Sequence, residues 1–250
     1  MEFFWADMMQ PAFWLAALQI IGVNIILSGD NAVVIALACR MLPPKQRLWG
    51  MILGAGVAVA LRVVFTLVVA QAMEYPFLKL AGGVLLLWVA VKLVVPDEEG
   101  GEGKVAAGEN LWRAVRIVAI ADIVMSLDNV IAIAAAADTA ALRVDPSHAA
   151  AIKTSLIIFC LATSVPLIIA GSALLMAVLE RYPILVWAGG ALLGWVAGDI
   201  MAKDQALLWW FSPEVLHSLH FWAAAAGAVL VVTTGYVLLK ARRRRTAEEV

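Results

Sequence analysis

The chain has 250 residues, 64% of them hydrophobic, and a mean hydropathy of +0.93. Its apolar runs reach the roughly 20 residues that cross a bilayer, which excludes a soluble domain and predicts a polytopic membrane protein. With 15% charged residues and a net charge of -1, it lacks the basic surface that nucleic-acid binding requires.

Seven transmembrane helices are predicted from the apolar runs and the charged or proline-containing breaks between them. They lie near residues 13 to 39, 49 to 72, 76 to 95, 114 to 137, 154 to 179, 183 to 201 and 219 to 239. The predicted fold class is therefore all-α, with one transmembrane domain over residues 1–250. Two acids and no base precede the first apolar run, unlike a cleavable signal peptide, so we expect the first span to be retained.

A polar motif occurs twice within these apolar spans. Residues 24–31 read Asn-Ile-Ile-Leu-Ser-Gly-Asp-Asn, and residues 122–129, 98 positions later, read Asp-Ile-Val-Met-Ser-Leu-Asp-Asn. A carboxylate near the middle of a bilayer costs about 2.5 to 3.5 kcal/mol on insertion scales. Two Asp-Asn pairs at matching depth therefore indicate a functional site.

A second similarity makes the two motifs the starts of a repeat. Residues 75–83 read Tyr-Pro-Phe-Leu-Lys-Leu-Ala-Gly-Gly, and residues 182–190, 107 positions later, read Tyr-Pro-Ile-Leu-Val-Trp-Ala-Gly-Gly. Each unit is then three helices long, and because three is odd the second unit enters the membrane from the opposite side, as in transporters with inverted repeats. We predict repeat 1 at about 12–95, an acidic linker at 96–110, repeat 2 at about 111–201 and one extra C-terminal helix at about 219–239.

The basic residues predict the orientation of the chain in an inner (plasma) membrane. With the N-terminus outside, thirteen Lys or Arg residues lie on the cytoplasmic side and four lie outside. The run formed by Lys240 with Arg242 to Arg245 then lies beside anionic headgroups as a topology anchor. We therefore expect an outer N-terminus and a cytoplasmic C-terminus.

Helical spacing places three polar residues of each motif at i, i+4 and i+7, on one helix face. They are Asn24, Ser28 and Asn31 in the first copy and Asp122, Ser126 and Asn129 in the second. Asp30 and Asp128 would point about 120° away on an ideal helix. Because Gly29 relaxes the backbone and Ser, Asp and Asn prefer helix ends, the first copy predicts a local break. Leu127 replaces the glycine in the second copy, so the sequence supports unwinding less strongly there.

The oxygen donors of the two motifs suit a hard cation such as Mg²⁺, Ca²⁺ or Mn²⁺, whereas Zn²⁺ and Cu⁺ usually recruit His or Cys. The predicted metal ligands are Asn24, Asp30, Asn31, Asp122, Asp128 and Asn129, supported by Ser28, Ser126 and Arg62. The three aspartates carry three negative charges, one more than a dication neutralises. Arg62, within the second span, either balances the remainder or only snorkels in the bundle. Asp199 and Lys92 are candidate gate residues that interfacial solvation explains equally well.

The pairing of Leu-Ser-Gly-Asp-Asn-Ala at 27–32 with Ser-Leu-Asp-Asn-Val-Ile-Ala-Ile at 126–133 resembles the TerC family, named for tellurium resistance, over roughly residues 12–240. The resemblance implies a manganese exporter of the wider LysE-like transporter group, with Mn²⁺ as the transported ion and no prosthetic group. For some members it also implies contact with the secretion machinery. The acidic and amide positions of both motifs become the implied metal site.

Four interpretations of the motifs stay open. The first is Mn²⁺ efflux by alternating access of the two units, with proton antiport as a natural coupling. The second is export of a small organic cation or amino acid, for which Arg62 is the candidate carboxylate-binding residue. The third is an intramembrane aspartyl protease, but no Pro-Ala-Leu element accompanies the aspartates, and we expect no enzymatic activity. The fourth is a purely structural polar network between spans one and four.

Overall fold

The computed structural model describes residues 11–27, 29–68, 75–95 and 107–248, and their regular secondary structure is helical. Short 3₁₀ helices at Pro146–His148 and Gln205–Trp209 join the last four helices pairwise. The all-α prediction is confirmed for this part of the chain. In order, the helices are α1 Pro11–Leu27, α2 Gly29–Cys39, α3 Pro44–Val68, α4 Leu78–Val94, α5 Ala107–Val144, α6 Ala149–Arg181, α7 Ile184–Ala202 and α8 Pro213–Glu248.

Within the described ranges, four helices are each long and apolar enough to cross a bilayer, namely α3, α6, α7 and α8. Two more spans arise if each bent pair counts as one, that is α1 with α2, and the two halves of α5. The predicted third span coincides with α4, whose 17 residues extend about 26 Å at 1.5 Å per residue. The chain is thus an integral multi-pass membrane protein, and the count of seven spans stays a prediction.

Large apolar side chains cover the outside of the bundle. Leu174, Ile184 and Trp222 are each about 70% exposed in the isolated chain. Such a surface suits a lipid environment, in which the backbone hydrogen bonds are satisfied within each helix and apolar side chains face the acyl chains. The exposed apolar surface therefore agrees with the multi-pass architecture.

The Gly-Gly pairs of the repeat bring α4 and α7 close together, as expected for small residues between membrane helices. A Cβ atom on Gly83 would lie 2.1 Å from Cγ of Met201, and one on Gly190 would lie 2.2 Å from Cγ2 of Val94. Gly83 and Gly190 are 107 positions apart, and so are Val94 and Met201. The two contacts are therefore equivalent under exchange of the repeats, and the predicted packing role of the glycines is confirmed.

The helix packing as a whole is also symmetric under this exchange. The first spans contact each other, with α1 and α2 against α5, and the third helices α4 and α7 contact each other. The second helix of each unit packs on the first span of the other unit, α3 on α5 and α6 on both α1 and α2. This pattern supports a duplicated architecture, while the inverted topology of the second unit stays a prediction.

The start of α4 is capped by a side chain distant in sequence. Asp204, in the loop after α7, accepts hydrogen bonds from the backbone N–H groups of Phe77 at 2.8 Å and Leu80 at 2.9 Å. The same carboxylate accepts from the N–H of Ala206 at 2.8 Å, at the start of a 3₁₀ helix. One buried side chain thus satisfies orphaned donors of two helices.

Helix boundaries differ from the predicted spans at charged ends. The helix α5 begins at Ala107, so the last residues of the predicted linker 96–110 are helical, while residues 96–106 lie outside the described part of the chain. The helix α8, with 36 residues, extends well beyond the predicted span 219–239. Hydropathy detects only the segment within lipid, whereas the helical hydrogen bonds continue into water. The apolar runs therefore underestimate the length of these helices.

Candidate functional site

Both polar motifs coincide with bends in their spans. The first motif lies where α1 meets α2, and the segments Pro11–Ile25 and Gly29–Cys39 are inclined to each other by 51°, while Ser28 itself lies outside the described residues. The second motif leaves α5 as one helix but bends it by 58° between Ser126 and Asn129. A bend at the predicted position is confirmed in the first copy, and local unwinding at Ser28 stays a prediction. The backbone of the second copy is helical at Leu127, and the helix bends there nevertheless.

Two residues of the first motif lie in the first turn of α2. The backbone N–H of Asn31 donates to Oδ1 of Asp30 at 2.8 Å, and the Asp30 side chain is half-buried. Negative charge is favoured at this end of a helix. Asn31 is only 4% exposed, and its side-chain Nδ2 and Oδ1 have no hydrogen-bond partner among the described residues.

Arg62, on α3, lies at the centre of a buried network and is 1% exposed. Its Nη2 donates to Oδ1 of Asp122 at 2.7 Å, its Nη1 to Oδ1 of Asn24 at 3.2 Å, and its Nε to Oγ of Ser126 at 3.3 Å. The guanidinium therefore connects α3 to both α1 and α5. The alternative that Arg62 only snorkels within the bundle is wrong, because its head group is buried and bonded.

The network extends from Arg62 in both directions. Ser126 donates from Oγ to Oδ2 of Asp122 at 3.1 Å, so both carboxylate oxygens accept hydrogen bonds. Asn24 donates from Nδ2 to Oγ of Ser164 at 2.8 Å, so both ends of its amide are engaged. The chain of bonds thus joins the first and second helices of both predicted repeats. Two predicted metal ligands, Asn24 and Asp122, belong to this network.

Ser164, on α6, is a member of the network that the sequence interpretation missed. Ser164 lies 102 positions after Arg62. This separation is intermediate between the 98 positions that separate the two polar motifs and the 107 that separate the two Gly-Gly spans. Local sequence agrees, since residues 60–63 read Ala-Leu-Arg-Val and residues 162–165 read Ala-Thr-Ser-Val. In the predicted repeat, Ser164 is then the counterpart of Arg62, and the intermediate offset is the signal that points to it.

The structure brings parts of the two motifs together. Asp30 lies close enough to the ion pair of Arg62 and Asp122 for both charges to act on its carboxylate. Asn129, on α5, is buried. The side chain of Asp128 is outside the described residues. Among the side chains that the structure describes, no group of three or more His, Cys, Asp or Glu forms a metal cluster. A cation at the bends would therefore depend on amide and backbone oxygens as well as carboxylates.

The two candidate gate residues have local partners at helix ends. Asp199 accepts from Nζ of Lys203 at 2.6 Å and is bonded to Nδ1 of His220 at 3.2 Å. Nζ of Lys92 lies 4.7 Å from the ring centroid of Trp88, in a cation–π contact. These contacts favour the interpretation of both residues as interfacial charges.

Nearly the whole chain matches one family model. Residues 9–247 match the model described as the integral membrane protein TerC family. The chain belongs to the TerC family. The resemblance indicated by the doubled Asp-Asn motif is therefore confirmed at the level of the family.

This TerC family protein is similar to several bacterial membrane proteins. The membrane protein YjbE of Bacillus subtilis is 40% identical over 199 residues, which cover 80% of this chain and 84% of YjbE. The inner membrane protein YoaE of Escherichia coli is 33% identical over 144 residues, which cover 50% of this chain and 27% of YoaE. The membrane protein YceF of Bacillus subtilis is 26% identical over 137 residues, 51% of this chain and 53% of YceF. The chain matches no solved structure.

Proposed function

We propose that this TerC family protein is a secondary transporter that exports Mn²⁺ across the inner membrane. The observation that carries the proposal is the buried amide of Asn31, unpaired among the described residues and adjacent in sequence to the carboxylate of Asp30. Leaving a buried polar group without a partner costs about 1–3 kcal/mol. A hard cation bound by the amide oxygen and the carboxylate would offset that cost.

The charge balance supports a dication. The ion pair of Arg62 and Asp122 is neutral as a unit. Asp30 and, by sequence, Asp128 then supply two negative charges to the bends. Oxygen ligands discriminate weakly among Mg²⁺, Ca²⁺ and Mn²⁺, so the choice of Mn²⁺ rests on the resemblance to manganese exporters of this family.

The two bends supply places at which the protein can alternate its access. In this proposal the ion is held by Asp30 and Asn31 on α2 and by Asp128 and Asn129 on α5, between the two three-helix units. Movement of these units about the bends exposes the ion to either side. Proton antiport is the proposed coupling, since a dication entering the site displaces protons from clustered carboxylates.

The network disfavours two alternatives that the sequence left open. Export of an amino acid requires a cation for the substrate carboxylate, but the guanidinium of Arg62 already donates to Asp122 and to Asn24. A purely structural network accounts for Arg62 and its partners, yet it leaves the amide of Asn31 unexplained. We propose no enzymatic activity.

Mn²⁺ flux into liposomes that contain the purified protein tests the proposal, with an entrapped fluorescent indicator as the readout. The variant Asp30→Asn keeps the size of the side chain but removes its charge, and it should lower the initial rate about tenfold or more. The matched control is Asp138→Asn, on α5, where the wild-type carboxylate pairs with Lys153 at the surface. Wild-type flux in Asp30→Asn, or equal losses in both variants, would overturn the proposal.

A further inference from the structure

We propose that Asp122 is not a ligand of the transported cation but the fixed counter-ion of Arg62, and that this neutral pair sets the charge of the site to match a dication. The inference rests on the proposed function, because it concerns the same cation site. It changes the role expected for Asp122 from the sequence, in which all three motif aspartates were predicted ligands.

The hydrogen bonds of Asp122 favour the counter-ion role. Its Oδ1 accepts from Arg62 at 2.7 Å and its Oδ2 accepts from Ser126 at 3.1 Å, and the side chains of the pair are only 2% and 3% exposed. A carboxylate that coordinates a cation through one of these oxygens would have to share it with an N–H or O–H donor. Asn31, by contrast, has both side-chain polar atoms unpaired among the described residues.

The repeat supplies an independent argument. Asp122 occupies the position equivalent to Asn24, and Arg62 the position equivalent to Ser164. Of the two equivalent contacts between the repeats, one is charged, Arg62 with Asp122, and the other is neutral, Asn24 with Ser164 at 2.8 Å. The carboxylate is thus accompanied by its compensating cation at the matched position. The counter-ion role accounts for this matched placement.

The electrostatic consequence is a fixed site charge. With the pair intact, the motif aspartates that remain are Asp30 and Asp128, which together balance one dication. Without Arg62 the same motifs would carry three negative charges and favour a trivalent ion. Without Asp122 they would carry two negative charges opposed by the positive charge of Arg62. Because charges within a membrane protein act at a low effective dielectric, each imbalance should change ion affinity strongly.

Mn²⁺ binding to the purified protein tests the inference, with free Mn²⁺ measured by its electron paramagnetic resonance signal. Asp122→Asn should weaken Mn²⁺ binding about tenfold or more, because Arg62 is then unbalanced beside Asp30. The double variant R62Q/D122N replaces the ion pair by two amides and should recover the affinity to within about threefold of wild type. A double variant as weak as Asp122→Asn would overturn the inference.

A second variant covers the case in which the double variant does not fold. Asp122→Glu keeps the negative charge and lengthens the side chain by one methylene. Arg62 can still pair with the longer carboxylate, whereas a carboxylate that coordinates the metal would be moved out of position. Mn²⁺ affinity within about threefold of wild type supports the counter-ion, and a loss of about tenfold or more overturns it. Competition by La³⁺ gives a further readout, since Arg62→Gln should favour La³⁺ over Mn²⁺ relative to wild type.

Asp30→Asn, measured in parallel, separates the two proposals. If wild type does not bind Mn²⁺, or if Asp30→Asn binds as wild type does, the proposed function fails and the counter-ion inference fails with it. If Asp30→Asn abolishes binding but neither R62Q/D122N nor Asp122→Glu retains it, only the counter-ion inference fails.

Discussion

Asp204→Ala should destabilise the fold although the residue lies outside the membrane spans. Its 2%-exposed carboxylate accepts several backbone N–H bonds, among them those from Phe77, Leu80 and Ala206 at 2.8 to 2.9 Å. Loss of a helix cap costs about 0.5–2 kcal/mol, and each buried donor left unpaired costs about 1–3 kcal/mol. Because water replaces part of the lost acceptor in the enlarged space, we expect a total loss of about 2–4 kcal/mol.

Thermal unfolding of the detergent-purified protein measures this loss. At a shift of about 2–4 °C per kcal/mol for a chain of this length, the Tm should fall by about 4–16 °C. The matched control is Asp145→Ala, which also removes a carboxylate cap, but one that serves Ser147 within its own exposed turn. Its Tm should fall much less. Equal losses in the two variants, or an unchanged Tm in Asp204→Ala, would refute the reasoning.

The same contact predicts how the stability depends on pH. Burial raises the pKa of the Asp204 carboxyl, but the N–H donors of Leu80, Ala206 and Phe77 outweigh this effect and lower the pKa below its usual value of 3.8. A carboxylate with a lowered folded-state pKa stabilises the protein above the unfolded-state pKa, and this stability is lost as the pH falls through the folded-state value. From about pH 5 to about pH 3, the Tm of wild type should therefore fall more steeply than that of Asp204→Ala. Parallel curves would contradict the assignment.

Two further predictions concern packing and the buried ion pair. Gly198→Ala should lower the Tm because the added Cβ would lie 2.1 Å from the backbone oxygen of Ala223. Gly56→Ala is the control and should leave the Tm unchanged, because no atom lies within 4 Å of its added Cβ. Similar Tm values for both variants would contradict the packing argument. Arg62→Gln should cost about 3–5 kcal/mol in unfolding free energy because it leaves the buried Asp122 without its cationic partner, and R62Q/D122N should cost far less. Equal losses in chemical denaturation would show that the ion pair does not act as a unit.

The sequence predicts the helices well because lipid imposes a simple pattern on them. A run of about 20 apolar residues leaves a membrane helix as the main option, and Gly29 among polar residues marks the bend in the first span. Helix ends are predicted less well, as at Ala107, because a helix continues beyond the apolar segment that hydropathy detects. The pairing of the two Gly-Gly spans follows from the repeat itself.

The polar contacts of the site are harder to derive because they join residues far apart in sequence. Arg62 and Asp122 are separated by 60 positions, and Asn24 and Ser164 by 140. Arg62, Asp122 and Asn24 are each identified by residue type as unusual in a membrane span, but residue type does not identify their partners. Ser164 and Asp204 are ordinary in composition, so only their positions in the fold reveal what they do.

The glycine contacts of the third helices determine which part of this molecule can move. Met201 faces Gly83 and Val94 faces Gly190 at a separation that admits no Cβ atom, so rotation of α4 or α7 about its own axis produces a steric collision. At Gly194, α7 packs on α8 with equally little space, since a Cβ atom there would lie 2.4 Å from the backbone oxygen of Gly227. These three helices therefore pack closely against one another. We therefore expect any conformational change to involve the bent helices that carry the aspartates more than these three.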